Sequence, residues 1–410
     1  MKVLWFSSRF FTEEKISGTA TWLDAMADIL MDKDDIQLYN ISQGKTKTIR
    51  KSNYKKVVQW QVPNTWKKKD QIPREKYLRQ ITEIVSSITP DVIHIWGTES
   101  YWGLLTARGY IKGNTVLEIQ GLISQIVNEF YGRLTMRELI ASVGIKEVVK
   151  PELLLFNIKK EFEKHARYEL EMIRNHSYIS TQSEWVRANI LFLNENAKLI
   201  ETRIPLRKNF ITSEKWNSER CTAYTIFTSI SSTAPYKGLH VLIDTLPLLK
   251  KRYPGLKLMI AGHTGRGIRE DGYTKFIKRK LSKQGLNENV TWLGPLDETG
   301  IIDQLLKSNV AVFPTFIESY GVAVAESLRL GVPTVASYVG ALPEQDREGN
   351  SMLFFPPGDV NMCAYSIHQI FSNRVFSEEL SMNALKKTAP TLEEIAELQV
   401  SIYKEVCREE

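Results

Sequence analysis

Cysteine is scarce in this 410-residue chain: three, at positions 221, 363 and 407, too few, too far apart and odd in number for a disulfide framework or a zinc ligand set. Only six histidines occur, and none stands with cysteine at ligand spacing. No apolar run approaches the ~20 residues that a membrane-spanning helix requires. The opening MKVLWFSSRF reads as a strand rather than a leader, because Arg9 cuts a very short apolar run. Together these absences lead to the expectation of a cytoplasmic protein with reduced thiols. Acidic residues are missing from one stretch, Lys45 to Lys69, which carries nine basic side chains interleaved with Tyr54, Trp60 and Trp66. That stretch fits a solvated hairpin or a contact with anionic lipid, nucleic acid or an acidic substrate.

What is present is ordinary for a globular protein: 43% hydrophobic and 25% charged residues, with a length that implies two cores. The net charge of +7 is uneven, since residues 1–205 carry 30 basic against 24 acidic side chains and the remainder is nearly neutral. Short apolar strands alternate with amphipathic helices: 2–7, 36–42, 57–63, 91–96, 115–120 and 176–180 in the first half, then 224–230, 256–262, 290–294, 310–315 and 333–337 in the second. Such alternation predicts α/β architecture with two mostly parallel, doubly wound sheets. Residues 121–174 interrupt it with an almost wholly helical pattern, including the apolar, basic run 148–162, whose LLLF either lies at a membrane interface or packs in the core, the latter favoured. The connection 201–210 marks the predicted boundary, giving units 1–205 and 206–390 and a last helix, 391–410, long enough to cross back onto the first unit.

One stretch, PTFIESYGVAVAESLRLG at 314–331, concentrates the chemistry. Glu318 precedes a glycine turn and Glu326 lies within the helix that follows. Between them Ser319, Tyr320, Gly321 and Val322 lead into a helix start, whose unpaired N–H groups and dipole favour a phosphate. Carboxylates on either side can each accept from neighbouring hydroxyls, so the pair suits an anionic, hydroxyl-rich ligand. Upstream, Lys237-Gly238 follows a strand and opens a helix, where the ammonium can act as a compact point charge for the same phosphates.

The Glu-x7-Glu spacing of 318 and 326, the upstream Lys237-Gly238 and the downstream GVPTVAS and ALPE runs resemble the retaining glycosyltransferases of family 4, which have the GT-B fold of two Rossmann-like domains facing a cleft. The likeness covers essentially the second half. Over the first half it rests on Gly18 and on PDVIHIWG at 90–97. It implies an acceptor domain followed by a nucleotide-sugar domain. It also implies catalytic roles for Glu318 and Lys237, with Glu318 on the donor sugar, 319–322 holding sugar and diphosphate by backbone, and Glu326 on the ribose. Further donor contacts implied are Gly18, Ser231, Arg266 and Leu296, the last in the turn that reads the base. Where the family has an arginine five residues before the lysine, this chain has Ser232, so Ser231, Ser232 and Thr233 or Arg266 are expected to compensate. Where the family often has a histidine after the fifth strand, Gln120-Gly121 stands, and a glutamine cannot take up a proton. His94, in the apolar run VIHIW, is either a second acceptor-side residue or a satisfied core histidine, the latter favoured.

The reaction implied is transfer of a hexosyl sugar from a UDP- or GDP-sugar to a glycan or lipid-linked saccharide in surface-polysaccharide assembly. No cofactor is obligatory and no metal is expected, since Asp32-Lys33-Asp34, the one Asp-x-Asp, lies in a polar turn. The basic first half, Trp60 and Trp66 suggest a peripheral contact with the inner face of an anionic cell membrane. A nucleotide-sugar 2-epimerase on the same fold is the alternative, against which counts the lack of a visible acid/base group opposite the donor. A non-catalytic sugar-nucleotide or nucleic-acid binding subunit is disfavoured, because no recognisable nucleic-acid motif accompanies the basic stretch.

Overall fold

A computed structural model of the chain describes residues 1–13, 21–64, 71–230, 233–264, 270–387 and 389–408. Two sheets carry the architecture. The first contains β1 (Lys2–Ser7), β2 (Gln37–Gly44), β3 (Arg50–Tyr54), β4 (Val57–Pro63), β5 (Val92–Trp96), β6 (Thr115–Glu118), β7 (Tyr178–Thr181) and β8 (Lys198–Glu201), in spatial order β3-β4-β2-β1-β5-β6-β7-β8. The second contains β9 (Thr225–Ile230), β10 (Lys257–Gly262), β11 (Val290–Gly294), β12 (Val310–Phe313), β13 (Thr334–Ser337) and β14 (Leu353–Phe355), in order β11-β10-β9-β12-β13-β14. Every pairing is parallel except β3 with β4. The strands VIHIW and VAVF are buried at every position, as parallel strands covered by helices on both faces must be.

The predicted strands recur within a few residues at either end, and β3, β8 and β14 are additional. β3 reads RKSNY, too polar to announce itself, because it is a sheet edge whose lysine and arginine resist pairing with another chain. The basic stretch is thus partly an edge hairpin. Trp60 does not face outward from it: it is buried against Tyr39, with the Lys51 ammonium over its ring at 5.3 Å. Trp66 and Lys67 to Lys69 fall outside the described residues.

The terminal helix Leu392–Arg408 returns to the first sheet. Its Ile395, Ile402, Tyr403 and Val406 share a core with Trp5, Trp22 and Leu30, and the indole Nε1 of Trp5 donates to the Tyr403 hydroxyl at 3.0 Å. A second crossing comes from residues 130–156, which belong to the first unit by sequence. Leu134, Leu139, Leu155 and Phe156 pack instead with Leu239, Tyr273 and Phe276 of the second. His240 secures the crossing: its Nε2 lies 2.9 Å from the Gly132 carbonyl and its Nδ1 2.8 Å from the Tyr273 hydroxyl.

Candidate active site

A cleft of about 930 Å³ runs between the two sheets, at the ends of their strands. In doubly wound sheets the loops after the strand ends diverge there and leave space for ligands. The glutamate motif forms one wall. After β12 the chain turns through Pro314 to Tyr320 and enters the helix Val322–Leu330 by way of Gly321, whose φ of +90° suits glycine. A Cβ there would also lie 2.4 Å from Leu342 Cδ2. Gly238 is held more tightly: its φ is +72°, and a Cβ would come within 1.7 Å of the Pro314 carbonyl oxygen. The Phe316 N–H donates to the Tyr236 carbonyl at 2.8 Å, fixing the lysine turn against the motif.

That contact brings the predicted catalytic pair together, with Lys237 Nζ 2.8 Å from Glu318 Oε2. Burial disfavours charge on Lys237, but Glu318 and Tyr236 together outweigh it and the pKa is raised, so the lysine is firmly cationic. Glu326 is 5% exposed and meets a cation the sequence did not single out: Arg207, in the connection predicted as a boundary, places Nη2 2.7 Å from Glu326 Oε1 and donates from Nε at 2.8 Å. Burial pushes the Glu326 carboxyl up to about 7, against the pull of Arg207 and with a further push from Glu298. Leu296 lies in the same wall, beside Pro295 and Glu298.

The first unit supplies the opposite wall. Gln120 faces the cleft, and its side-chain nitrogen is buried without a hydrogen-bond partner. Its carbonyl accepts from the Ser319 hydroxyl at 2.7 Å, while the Ser319 carbonyl accepts from Ser183 Oγ at 2.8 Å. Glu344 completes this latch by accepting from the backbone N–H groups of Glu184 and Trp185, each at 2.9 Å, at the start of the helix Glu184–Leu191. The hydroxyl of Ser319 is therefore spent on joining the units.

Two further residues of this wall escaped the sequence reading. Glu99, three residues beyond β5, lines the cleft beside Gly121 and Gln120. The residue is open to the cleft, and desolvation by the protein packed around its carboxyl pushes the pKa up to about 7, backbone N–H groups opposing and the buried Glu169 adding to the rise. An acid/base group does therefore stand opposite the glutamate motif, contrary to the sequence expectation. Arg9, two residues beyond β1, lines the cleft with Asp24, which accepts from its Nε at 2.8 Å. Position just past a strand end was the signal available for both.

His94 is corrected outright. It is fully buried in the middle of β5, stacked on Trp96 at 3.8 Å, with Nδ1 2.8 Å from the Tyr403 hydroxyl. Burial lowers its pKa, and it lies away from the cleft as a core histidine covered by the terminal helix. Gly18, Ser231, Ser232 and Arg266 fall outside the described residues. Thr233 is spent elsewhere, donating to Asp271 at 3.1 Å.

Two Rossmann-like sheets closed over a shared cleft define the GT-B architecture. Residues 211–387 match the family described as Glycosyl transferases group 1. The match lies within the second unit and makes that unit similar to the group 1 glycosyltransferases. Among curated relatives, the glycogen synthase of Mycobacterium tuberculosis (strain CDC 1551 / Oshkosh) is 28% identical over 137 residues, 33% of this chain and 31% of that protein. The chain thus matches about a third of the length of such relatives. Solved structures extend the likeness of fold to the whole chain. Sucrose-phosphate synthase from Thermosynechococcus elongatus superposes with a TM-score of 0.74 at 16% identity, covering 99% of this chain and 98% of that one. Anabaena HepE in complex with UDP and glucose gives 0.69 at 13% identity, covering 99% of both.

Proposed function

We propose that this chain is a retaining glycosyltransferase that moves a hexosyl group from a nucleoside-diphosphate sugar to a hydroxyl of a glycan or lipid-linked saccharide. The observation that carries the reading is the single cleft that gathers the Lys237–Glu318 pair, the helix start at Gly321 and the Arg207–Glu326 pair on one wall, with Gln120 and Glu99 on the other. Glu318 addresses sugar hydroxyls, the helix start and Lys237 meet the diphosphate, and Glu326 accepts from the ribose. As the anomeric C–O bond to phosphate breaks, charge grows on the leaving diphosphate, where a fixed cation and backbone N–H groups stabilise it most. The departing phosphate oxygen accepts the proton of the acceptor hydroxyl, whose oxygen bonds to the anomeric carbon on the same face. Gln120 and Glu99 hold that hydroxyl in line, which is catalysis by position.

HepE, solved with UDP and glucose, supports a uridine donor over other bases, and a lipid-linked acceptor would bring the chain to the inner face of a membrane. No helix among the described residues is long and apolar enough to cross one. The experiment is a thermal-shift panel of UDP- and GDP-sugars followed by NMR of the product's anomeric centre. Stabilisation by a donor and retention at that centre are expected. Absence of any stabilising donor, or inversion, would overturn the assignment.

Glu99 keeps the 2-epimerase reading in play, since a carboxyl titrating near neutrality opposite the donor could act at C2. Incubation with a nucleotide-sugar alone separates the two. Epimer without acceptor supports the isomerase, and slow hydrolysis to free sugar and nucleotide supports the transferase.

A further inference from the structure

The crossing segment 130–156 carries the largest concentration of exposed aliphatic side chains among the described residues. Two short helices, Met136–Ala141 and Ile145–Val149, turn Leu139 and Glu147 inward and leave Met136, Ile140, Ile145, Val148 and Val149 between 61% and 84% exposed. Within each helix these residues recur at three- and four-residue intervals, which places them on one side. Five such residues close together in sequence differ from the scattered exposed leucine or valine of any surface.

The charges around them are mainly basic. Arg137 and Lys150 are exposed, Lys146 is half-buried, and Lys275 and Arg279 of the adjoining helix Gly272–Lys283 border the segment, with Arg279 donating to the Ala141 carbonyl. Glu152, two residues past Lys150, is exposed, while the two carboxylates within Met136–Lys150 are engaged by the fold. Glu147 is 3% exposed and accepts from the Gly144 N–H at 3.0 Å. Glu138 caps its own helix through Thr135 and pairs with Lys280. Withdrawing both carboxylates while exposing aliphatic groups and cations is the pattern of a surface that lies in an anionic headgroup layer.

We propose that the face formed by Met136–Lys150 docks on an anionic lipid bilayer. The face has a direct link to the cleft. Gly132, four residues before it, touches Pro235, two residues before Lys237, so the same crossing that bears the apolar face also buttresses the lysine turn. A lipid-linked acceptor held in the bilayer would then reach the cleft beside that crossing. The proposal uses the transferase reading only in this last respect.

Vesicle flotation of the full chain tests it without donor or acceptor, so its failure and failure of the transferase reading are distinct events. The vesicles are phosphatidylcholine alone and phosphatidylcholine with phosphatidylglycerol. Flotation with the anionic vesicles only, weakened by high salt, is expected. Ile145→Asp/Val148→Asp should reduce it by roughly tenfold or more, and Arg137→Glu/Lys150→Glu by a similar factor. Both sets of positions are exposed, and circular dichroism melting checks that the fold survives. Lys47→Glu/Lys56→Glu on the basic hairpin should bind as the unaltered chain does. The proposal is overturned if the anionic vesicles fail to bind, or if loss follows the hairpin variant rather than the patch variants. It is equally overturned if light scattering shows that the apolar face pairs two copies of the chain in solution and Ile145→Asp/Val148→Asp merely dissociates them.

Discussion

Arg207 and Glu326 meet at 2.7 Å across 119 residues of sequence, the arginine 17% exposed at its side chain and the carboxylate 6%. The pair joins the connection between the two units to the helix that follows the glycine turn. Because burial already raises the Glu326 pKa to about 7, folding prefers its protonated form. The folded chain then holds more protons than the unfolded one between the ordinary carboxylate value and about 7, so this group's contribution to stability falls as pH rises through that window. Arg207→Met removes the opposing pull, raises the carboxyl further and extends the window upward. The variant is expected to lose about 3 kcal/mol relative to the parent at pH 8.5 and clearly less at pH 6. Urea unfolding at the two pH values measures this, and an equal loss at both would contradict the account.

Lys237 and Glu318 hold each other in the free chain, and in the proposed mechanism each has a second task when the donor arrives. Glu318→Ala removes the sugar contact and also releases Lys237, while Lys237→Ala removes the cation for the leaving diphosphate. Each single variant should lower transfer by about 10²- to 10³-fold, the scale seen when one stabilising group is removed from developing charge. The double variant should be little worse than either, because the two act as a unit. Initial rates with a saturating donor decide it, and near-parental rates in both single variants would remove these residues from the mechanism.

The parts of this arrangement that were legible in sequence are those with a local cause. Strand-and-helix alternation needs only a window of some ten residues, and the glutamate motif announces itself through Gly321 and the helix behind it. Gln120 was found because it follows a strand end. Arg207 was missed because its meaning lies in a carboxylate on a distant helix. Glu99 and Arg9 were missed because the loops carrying them have no motif, although both stand just past a strand of a doubly wound sheet. The helical character of 130–156 could be read, but its choice to pack on the second unit could not, since it is settled by contacts to Tyr273 and His240. His94 shows the converse: strand position and apolar neighbours favoured a core role, in which Nδ1 meets the Tyr403 hydroxyl and Nε2 faces the buried Glu118 carboxylate at 3.6 Å.

Gly238 offers a test of how firmly the lysine turn is held. Alanine there would need a strained positive φ and would drive a methyl group to 1.7 Å from the Pro314 carbonyl oxygen, so the turn must move. Gly238→Ala is expected to cost about 2 kcal/mol or more in unfolding free energy and to displace Lys237 from Glu318. Activity should fall further than stability alone explains, with donor KM raised. Glycine-to-alanine exchange at Gly285, where an added Cβ meets nothing within 4 Å despite a φ of +64°, is the control for backbone strain without collision.

Glu99 and Glu326 both titrate near neutrality, on opposite walls of one cleft, and separating them requires measuring donor and acceptor steps apart. In the proposed role Glu326 accepts from the donor's ribose most strongly when ionised, so donor affinity should strengthen as pH rises through about 7, and Glu326→Gln should flatten that dependence. In the proposed transferase Glu99 holds the acceptor hydroxyl, again as the anion, so kcat/KM for the acceptor should rise through about 7 at saturating donor. Glu99→Gln keeps a neutral hydrogen bond but no charge. It should lower the acceptor kcat/KM by roughly tenfold at pH 8 and remove the titration, leaving donor affinity and its pH dependence in place. Were donor binding to lose its pH dependence in Glu99→Gln instead, the carboxylate would face the donor sugar rather than the acceptor, and the epimerase chemistry would become the better account of the cleft.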